Sequence, residues 1–546
     1  MKNKPIKFII LTAVVLVSLM LLLVLGNLRK TGATDHLEVA AVNHDFSEFP
    51  YSISSNLKIG VHKVVFKAFY SEEKEHWCMV LPAMYKDAEL NVDVQKKDGE
   101  TLTFHRSSKE TVMSLLFDQV ETKLEFLYAE DSEMLYVALD DGNSIENIHE
   151  NKELEIPGGC LAIASNGKAS YVPVEGFSGH GNDSWEAEKK SYDIKFPLAA
   201  DLFGMGTNND FVLLAGYRDN SLMSFCVSNE LVWEIGFDYA PEFRLVNLYV
   251  GGEYLGIYFL TERMEIDKNR IEITNAFDYT KMANGYQPLE NSEFGQWISE
   301  NGVAKRYFYY LEKNPQDITG GYLLELDSNN HAQESRFVSN RNNRLVLKRA
   351  KYASMEQVNY VADFWQEYED ALYSENGYND SGRHYTEYIE LESFAKQWLI
   401  YELFQETSMH SSVYYYKESE IYGDGRIHGC YPWDLEHSFL KNDAINKLWN
   451  VEVKNEYWSE YYKHEDFKEA VSLVWKRDFL PALELMLDSE SVQTKKGMGN
   501  ISWYHENLNE MEALETSRWP NVNLMKKCQE IREFLEIRRS VLSSIL

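Results

Sequence analysis

The chain has 546 residues, 86 of them acidic and 54 basic, so its formal net charge is −32. At ~150 residues per domain, this length points to three or four domains. With 44% apolar and 26% charged residues, a packed core is available and wholesale disorder is excluded; the acidity excludes a general nucleic-acid binder, because phosphate contacts need a basic surface.

The charge is unevenly placed. Residues 1–30 hold five basic side chains and no acid, which leaves 49 basic against 86 acidic residues, a net −37, on the rest. The 19 residues from Phe8 to Gly26 carry no charge. Such a run crosses a hydrocarbon core of ~30 Å as a helix. Lys2, Lys4 and Lys7 precede it, and Arg29 and Lys30 follow. The pattern predicts a signal anchor over 1–30, with the N-terminus cytoplasmic and the body outside the cell; a cleaved signal peptide is the alternative. The five cysteines are far apart and form no C-x-x-C. Their spacing predicts neither a zinc site nor a disulfide framework, but small buried hydrophobes.

Residues 31–45 read as a polar spacer. From 46 to 165, short alternating runs such as KVVFKAFY, HWCMVLPAM, ELNVDVQ, KLEFLYA, EMLYVALD and CLAIAS are separated by DGE, EDS, DDGN and PGG turns. They predict a β-sandwich-like module. Strands continue at YDIKF, FVLLAGY, FRLVNLYV and YLGIYFL, with a helix over about 221–236. The polar stretch 276–319 reads as an insertion or loop. GGYLLELD and RLVLKRA read as a strand pair joined by an Asn-rich turn. Helices are predicted over 354–375, 389–407, 466–487, 502–515 and 522–545, from apolar residues at helical spacing. The fold class is therefore α+β: a transmembrane helix, a β-rich module, and a domain over 166–546 whose C-terminal half is helical.

Four stretches carry chemistry. GHGNDSWEAEKKSYDIKF (179–196) combines glycines with Lys189, Lys190 and Lys195 in a very acidic chain; it reads as a phosphate-holding cluster or as a turn and edge strand with solvated lysines. Alternation puts Tyr192, Ile194 and Phe196 on one face and Asp193 and Lys195 on the other. Glu262 ends an apolar strand, where it either pairs with a strand lysine or reaches solvent. Glu325 and Asp327 share a strand face. In YPWDLE, Asp434 and Glu436 alternate onto one side beside Trp433, a spacing that suits a divalent cation bridging phosphates or a structural cap.

In this order the motifs resemble the CotH family, the spore-coat protein H type of atypical protein kinase. GHGNDSW…KKSYDIKF is similar to that family's RGNSTW…KKSYRIKF block. FVLLAGYRDNSLMSF, LYVGGEYLGIYFLTERMEIDKNRIEI, GGYLLELD, FAKQWLIYELF, SSVYYYK, YPWDLE, SRW and FLEIRRSVL follow in the expected sequence. The resemblance covers about 166–546. It implies a minimal kinase-like fold that binds ATP with Mg²⁺ or Mn²⁺ and phosphorylates protein Ser/Thr, here on surface or spore-coat proteins. Carried over by position, Lys195 contacts phosphates with Lys190 nearby, Glu262 orients Lys195, and His180, Asn182 and Trp185 belong to the first block. Asp434 holds the metal, with Glu436 in the second acidic place.

The departures are specific. His180 replaces an arginine, and Ser224-Phe225 replaces an Arg-Asn pair. Glu406-Thr407-Ser408 stands where the family has N-x-D, so the aspartate base is absent. Such a base contributes ~10²–10⁴-fold. Ser408 does not replace it directly; Glu406 does so if the loop shifts, and His410 is the remaining candidate. The runner-up reading is a catalytically inactive envelope or coat scaffold. A glycan-binding surface module using the 12 Trp and 35 Tyr is a third.

Overall fold

The structure, a computed structural model, describes residues 51–546 apart from 118–119, 141, 217–220, 328–332, 350, 408 and 454–455. The predicted anchor over 1–30 and the spacer 31–45 lie outside the described residues. Among the described residues, no helix is long and apolar enough to cross a membrane. The molecule is of mixed α+β type, with β sheets in its N-terminal part and a helical C-terminal part.

Eight strands come first: β1 (Tyr51–Ile59), β2 (His62–Lys67), β3 (Phe69–Ser71), β4 (His76–Pro82), β5 (Leu90–Lys96), β6 (Thr101–Arg106), β7 (Val112–Phe117) and β8 (Val120–Ala129). They form two four-stranded sheets, β2-β1-β5-β6 and β3-β4-β8-β7. Alternate residues of both sheets, such as Ile53, Phe66, Val92, Met79 and Phe126, enter one hydrophobic core. KVVFKAFY, read as one strand, supplies β2 to one sheet and β3 to the other; the chain changes sheets at Ala68.

Then come β9 (Glu133–Leu139), α1 (Ile145–Glu150), β10 (Ile156–Ile163), β11 (Ala169–His180), β12 (Ser191–Asp201), β13 (Thr207–Leu214), α2 (Met223–Ile235), β14 (Phe243–Val250) and β15 (Glu253–Glu262). Seven of these strands close a barrel in the order β10-β11-β12-β13-β15-β14-β9. Its interior is filled by alternate residues, among them Val137, Cys160, Phe177, Tyr192, Ile194, Phe211, Leu248 and Tyr258. Strand pairing therefore runs across residue 165. Cutting the chain there would break the β10–β11 ladder and take β9 and β10 out of the barrel.

The polar stretch 276–319 contains structure that the sequence reading missed: α3 (Ala276–Ala283), β16 (Phe294–Ile298) and β17 (Lys305–Tyr309). With β18 (Tyr322–Leu326), β19 (Arg336–Val338), β20 (Arg344–Arg349), β21 (Val413–Lys417) and β22 (Ile427–Gly429), the two strands build a seven-stranded sheet, β16-β17-β19-β20-β18-β21-β22. Between β20 and β21 lie α4 (Met355–Leu372) and α5 (Leu391–Phe404). Ser354 and Gln357 form a capping box at the start of α4, and the Glu390 carboxylate caps α5, satisfying amides that a helix start leaves free.

The remaining helices are α6 (Glu456–Tyr461), α7 (Glu465–Val474), α8 (Leu480–Met486), α9 (Ile501–Asn507), α10 (Asn509–Arg518) and α11 (Leu524–Ile545). The helix expected over 466–487 is interrupted by a π-turn at Trp475–Phe479, just ahead of Pro481, whose ring nitrogen donates no hydrogen bond. The one expected over 502–515 is two helices meeting at Leu508.

Candidate active site

The site begins on the barrel wall. In the β11–β12 ladder Ser178 faces Asp193 and His180 faces Ser191. The pleat turns Tyr192 and Ile194 into the barrel and Asp193 outward. His180 Nδ1 lies 3.1 and 3.2 Å from the two Asp193 oxygens. An Arg263 nitrogen, just past β15, is 3.5 Å from Asp193. Burial pushes the Asp193 carboxyl up, but the hydrogen bond from His180 and the charges of His180, Arg263 and Lys152 outweigh it and hold the group below its ordinary range. Burial also works against the Arg263 charge; Asp193, Tyr414, Asp210 and Glu265 overcome it and hold the guanidinium more firmly protonated.

The seven-stranded sheet supplies the facing groups. Glu325 on β18 stands opposite Tyr414 on β21 and takes an ion pair from Lys348 on β20 at 3.1 Å. Burial, with Asp327 nearby, raises the Glu325 carboxyl against the pull of Lys348. Ser411 Oγ donates to Asp327 at 3.1 Å. The face shared by Glu325 and Asp327 thus carries a polar network, as the i, i+2 spacing allows.

The third contribution comes from the WDLE segment and the end of α5. Gln405, Ser412, Asp434 and Phe439 have φ of 51°, 59°, 61° and 60°. A non-glycine residue held in this region costs about 1–3 kcal/mol, and such residues cluster at functional sites. The bonds that hold them are visible. Phe439 N donates to Phe404 O at 3.0 Å, Ser438 Oγ to Glu406 Oε2 at 2.8 Å, and Trp449 Nε1 to Glu406 O at 3.0 Å. Asp434 is exposed, yet neighbouring chain crowds its carboxyl. Burial and the charge of Glu406 raise that carboxyl; His437, His180 and a hydrogen bond from Ser412 ease it. Glu436 is buried two residues on.

Of the residues expected from sequence, His180, Glu406 and Asp434 come together here. Ser408 lies outside the described residues, and His410 is exposed. The lysine cluster divides. Lys189 is largely covered and bonds Ile257 O and Glu515 Oε1, each at 2.5 Å. Lys190 lies over the Trp185 ring at 4.9 Å and donates to Trp185 O and Ala187 O at 2.6 and 3.0 Å, closing the loop that the exposed Asn182 opens. Lys195 is half-exposed, 3.8 Å from Glu175.

The expected Lys195–Glu262 pair does not form. Ile194, Phe211 and Glu262 stand in one row of the β12–β13–β15 ladder, and Lys195 stands opposite Asp210 in the next. The two side chains therefore leave opposite faces of the wall. Glu262 instead lies 3.5 Å from Arg270 and accepts from Glu242 N at 3.2 Å. Arg263, one residue further, is the basic group that reaches the cleft; sequence reasoning passed over it.

A family profile described as CotH kinase protein matches residues 177–542, most of the chain. The chain belongs to this family. Among curated proteins, none matches it. The CotH match begins inside β11, so it takes in His180, Asp193, Arg263, Asp327, Glu406 and Asp434, every element of the cleft. Membership implies a kinase-like phosphotransferase and, in general terms, a nucleotide and a divalent metal. The donor set of this CotH chain fits both. Burial first, and then the charge of Glu406, raises the Asp434 carboxyl, and the hard oxygens of Asp434 suit Mg²⁺ or Mn²⁺. Arg263 and Lys348 offer positive charge to phosphate oxygens, and His180 offers a ring nitrogen as donor.

Proposed function

We propose that this protein is a metal-dependent phosphotransferase of CotH type, moving the terminal phosphoryl group of ATP onto hydroxyls of surface or coat proteins. The observation that carries it is the meeting of Asp434 and Glu406 with His180 at one cleft, ringed by strained backbone. In this reading the barrel is the phosphate-holding lobe, and the seven-stranded sheet with its helices is the catalytic lobe. His180 and Arg263 orient phosphate oxygens, and Asp434 with Glu436 holds the divalent ion. The ion, when bound, neutralises charge on the transferring group. Glu406 takes the proton of the acceptor hydroxyl as that oxygen bonds the terminal phosphorus and the bridging oxygen leaves with ADP. Residues 1–30 anchor the body outside the membrane, so nucleotide must reach it there or in a sporulation compartment.

The test is transfer of labelled phosphate from ATP to a mixture of surface proteins with Mg²⁺ or Mn²⁺, by wild type and Asp434→Asn. Metal-dependent transfer, lost in the variant, is the expected result. A second reading has a specific observation behind it: Glu406 is buried and already bonded by Ser438, as in a non-catalytic scaffold. ATP raising the melting temperature without turnover favours the scaffold, since ligand binding to the folded state alone must stabilise it. No binding at millimolar ATP would reject the phosphotransferase and leave the scaffold reading ahead.

A further inference from the structure

Far from the cleft residues in sequence, the β3-β4-β8-β7 sheet gathers three side chains of metal-binding chemistry. His76 and Cys78 stand two residues apart on β4, and Glu125 on β8 faces Cys78 in the parallel ladder, so all three share one face. His76 Nε2, Cys78 Sγ and a Glu125 carboxylate oxygen lie within 4.8 Å of one another. His76 Nε2 and Glu125 Oε2 are 2.9 Å apart. Cys78 is fully buried, while the His76 and Glu125 side chains remain 24% and 22% exposed. One side of the group is dry and the other is open to entry.

We propose that His76, Cys78 and Glu125 form a Zn²⁺ site with three protein ligands and one position left for water. Donors around a four-coordinate zinc at ~2.0–2.3 Å stand about 3.3–3.6 Å apart, so side-chain rotations of about an ångström close the site. The pocket already holds a positive charge. Lys74 Nζ is 2.9 Å from the same Glu125 oxygen; it belongs to the turn between β3 and β4 and is 30% exposed, free to swing into water when a divalent ion takes the carboxylate.

Binding forms a Zn–S bond and releases the Cys78 thiol proton to solvent, while His76 coordinates as a neutral ring. Thiolate and imidazole together select zinc over Mg²⁺ or Mn²⁺. Cysteine spacing carries no signal for such a site, because strand pairing brings these ligands together. A second trio, Glu418, Asp424 and His428, is equally close, but it has no sulfur ligand, and Arg426 holds Asp424 through its backbone as well as its side-chain nitrogen, each at 2.8 Å.

The test uses the full chain in detergent, stripped of metal and titrated with Co²⁺ and then Zn²⁺. One equivalent of Co²⁺ should give a thiolate-to-cobalt charge-transfer band in the near ultraviolet, abolished by Zn²⁺ but not by Mg²⁺. Cys78→Ser should lose the band. Glu125→Gln, which keeps the thiol, should weaken binding at least about tenfold. Lys74→Ala, which removes the competing cation, should strengthen it. Circular dichroism checks that each variant is folded; if Cys78→Ser is not, the opposite responses of the other two decide. Absence of the band in folded wild type, its survival in folded Cys78→Ser, or weaker binding by Lys74→Ala would overturn the proposal.

Discussion

His180 stands where the family pattern has an arginine, and Asp193 is the carboxylate that holds it in place, with Arg263 on the same anion. An arginine presents a rigid fork of donors that a single imidazole does not match. His180→Arg should therefore lower the KM for ATP, by about threefold to tenfold if one charge-assisted hydrogen bond of ~1 kcal/mol is gained. Arg263→Ala should raise that KM by tenfold or more, at ~1.4 kcal/mol or above for a lost charged contact. Both are read from initial rates against ATP concentration. The outward direction of Asp193 was legible in YDIKF, because alternation needs only local sequence. Arg263 was not: assigning it to the cleft requires the parity of β15 against β13 and β12, set by pairing between residues some fifty apart. A one-residue change in parity exchanges the faces, and it is this parity that separates Glu262 from Lys195, the pair expected from position.

At the scale of elements, the C-terminal motifs act as rivets. Arg538 on α11 is fully buried and bonds Glu402 Oε1 on α5 at 2.6 Å, and also Ile445 O and Lys447 O at 2.7 and 2.9 Å. The Glu402 oxygens also accept from Trp449 N and Asn450 N at 2.6 and 2.8 Å. Removing one member of such a pair leaves a buried charge unmatched, at about 3–5 kcal/mol. Arg538→Met should lower the melting temperature strongly, and Glu402→Leu combined with it should recover only part of the loss, because Ile445 O, Lys447 O, Trp449 N and Asn450 N lose these partners, as a double-mutant cycle by calorimetry will show. The helices themselves were legible in sequence because their apolar stripes are local. The β16–β17 hairpin was not: much of β16 is exposed, with Trp297 and Ile298 half in water, so no buried alternation marked it.

Over the whole molecule, buried carboxylates set the response to pH. Burial lifts Glu133 to about 7 against its unperturbed 4.5, and one of its oxygens has no hydrogen-bond partner. Burial also raises Glu230, Glu325, Glu369 and Glu402. A raised carboxyl binds more protons folded than unfolded, so its contribution is present below 4.5 and, for Glu133, lost as pH rises through 7. Asp193, Asp317 and Asp478 are held low; their contribution is present above 3.8 and lost as pH falls further. The melting temperature should therefore peak at mildly acidic pH and decline towards pH 8. Glu133→Gln should flatten part of that decline, on the order of 1–3 kcal/mol, and change nothing at pH 4. Scans at constant ionic strength check this, since the net −32 adds its own repulsion.

The barrel wall is finished from a distance. Glu515 on α10 accepts from Ile257 N at 2.6 Å and holds Lys189, while Trp519 Nε1 donates to Leu255 O at 2.8 Å. Gly256 between them has φ of 99°, and a Cβ there would lie 2.6 Å from Glu515 and 2.7 Å from Trp519. During synthesis, 258 residues separate Ile257 from Glu515, roughly 13–50 s at ribosomal speed. Throughout that interval the nascent barrel carries an uncapped lysine and an open backbone amide. Glu515 and Trp519 therefore act as a latch that arrives after the door.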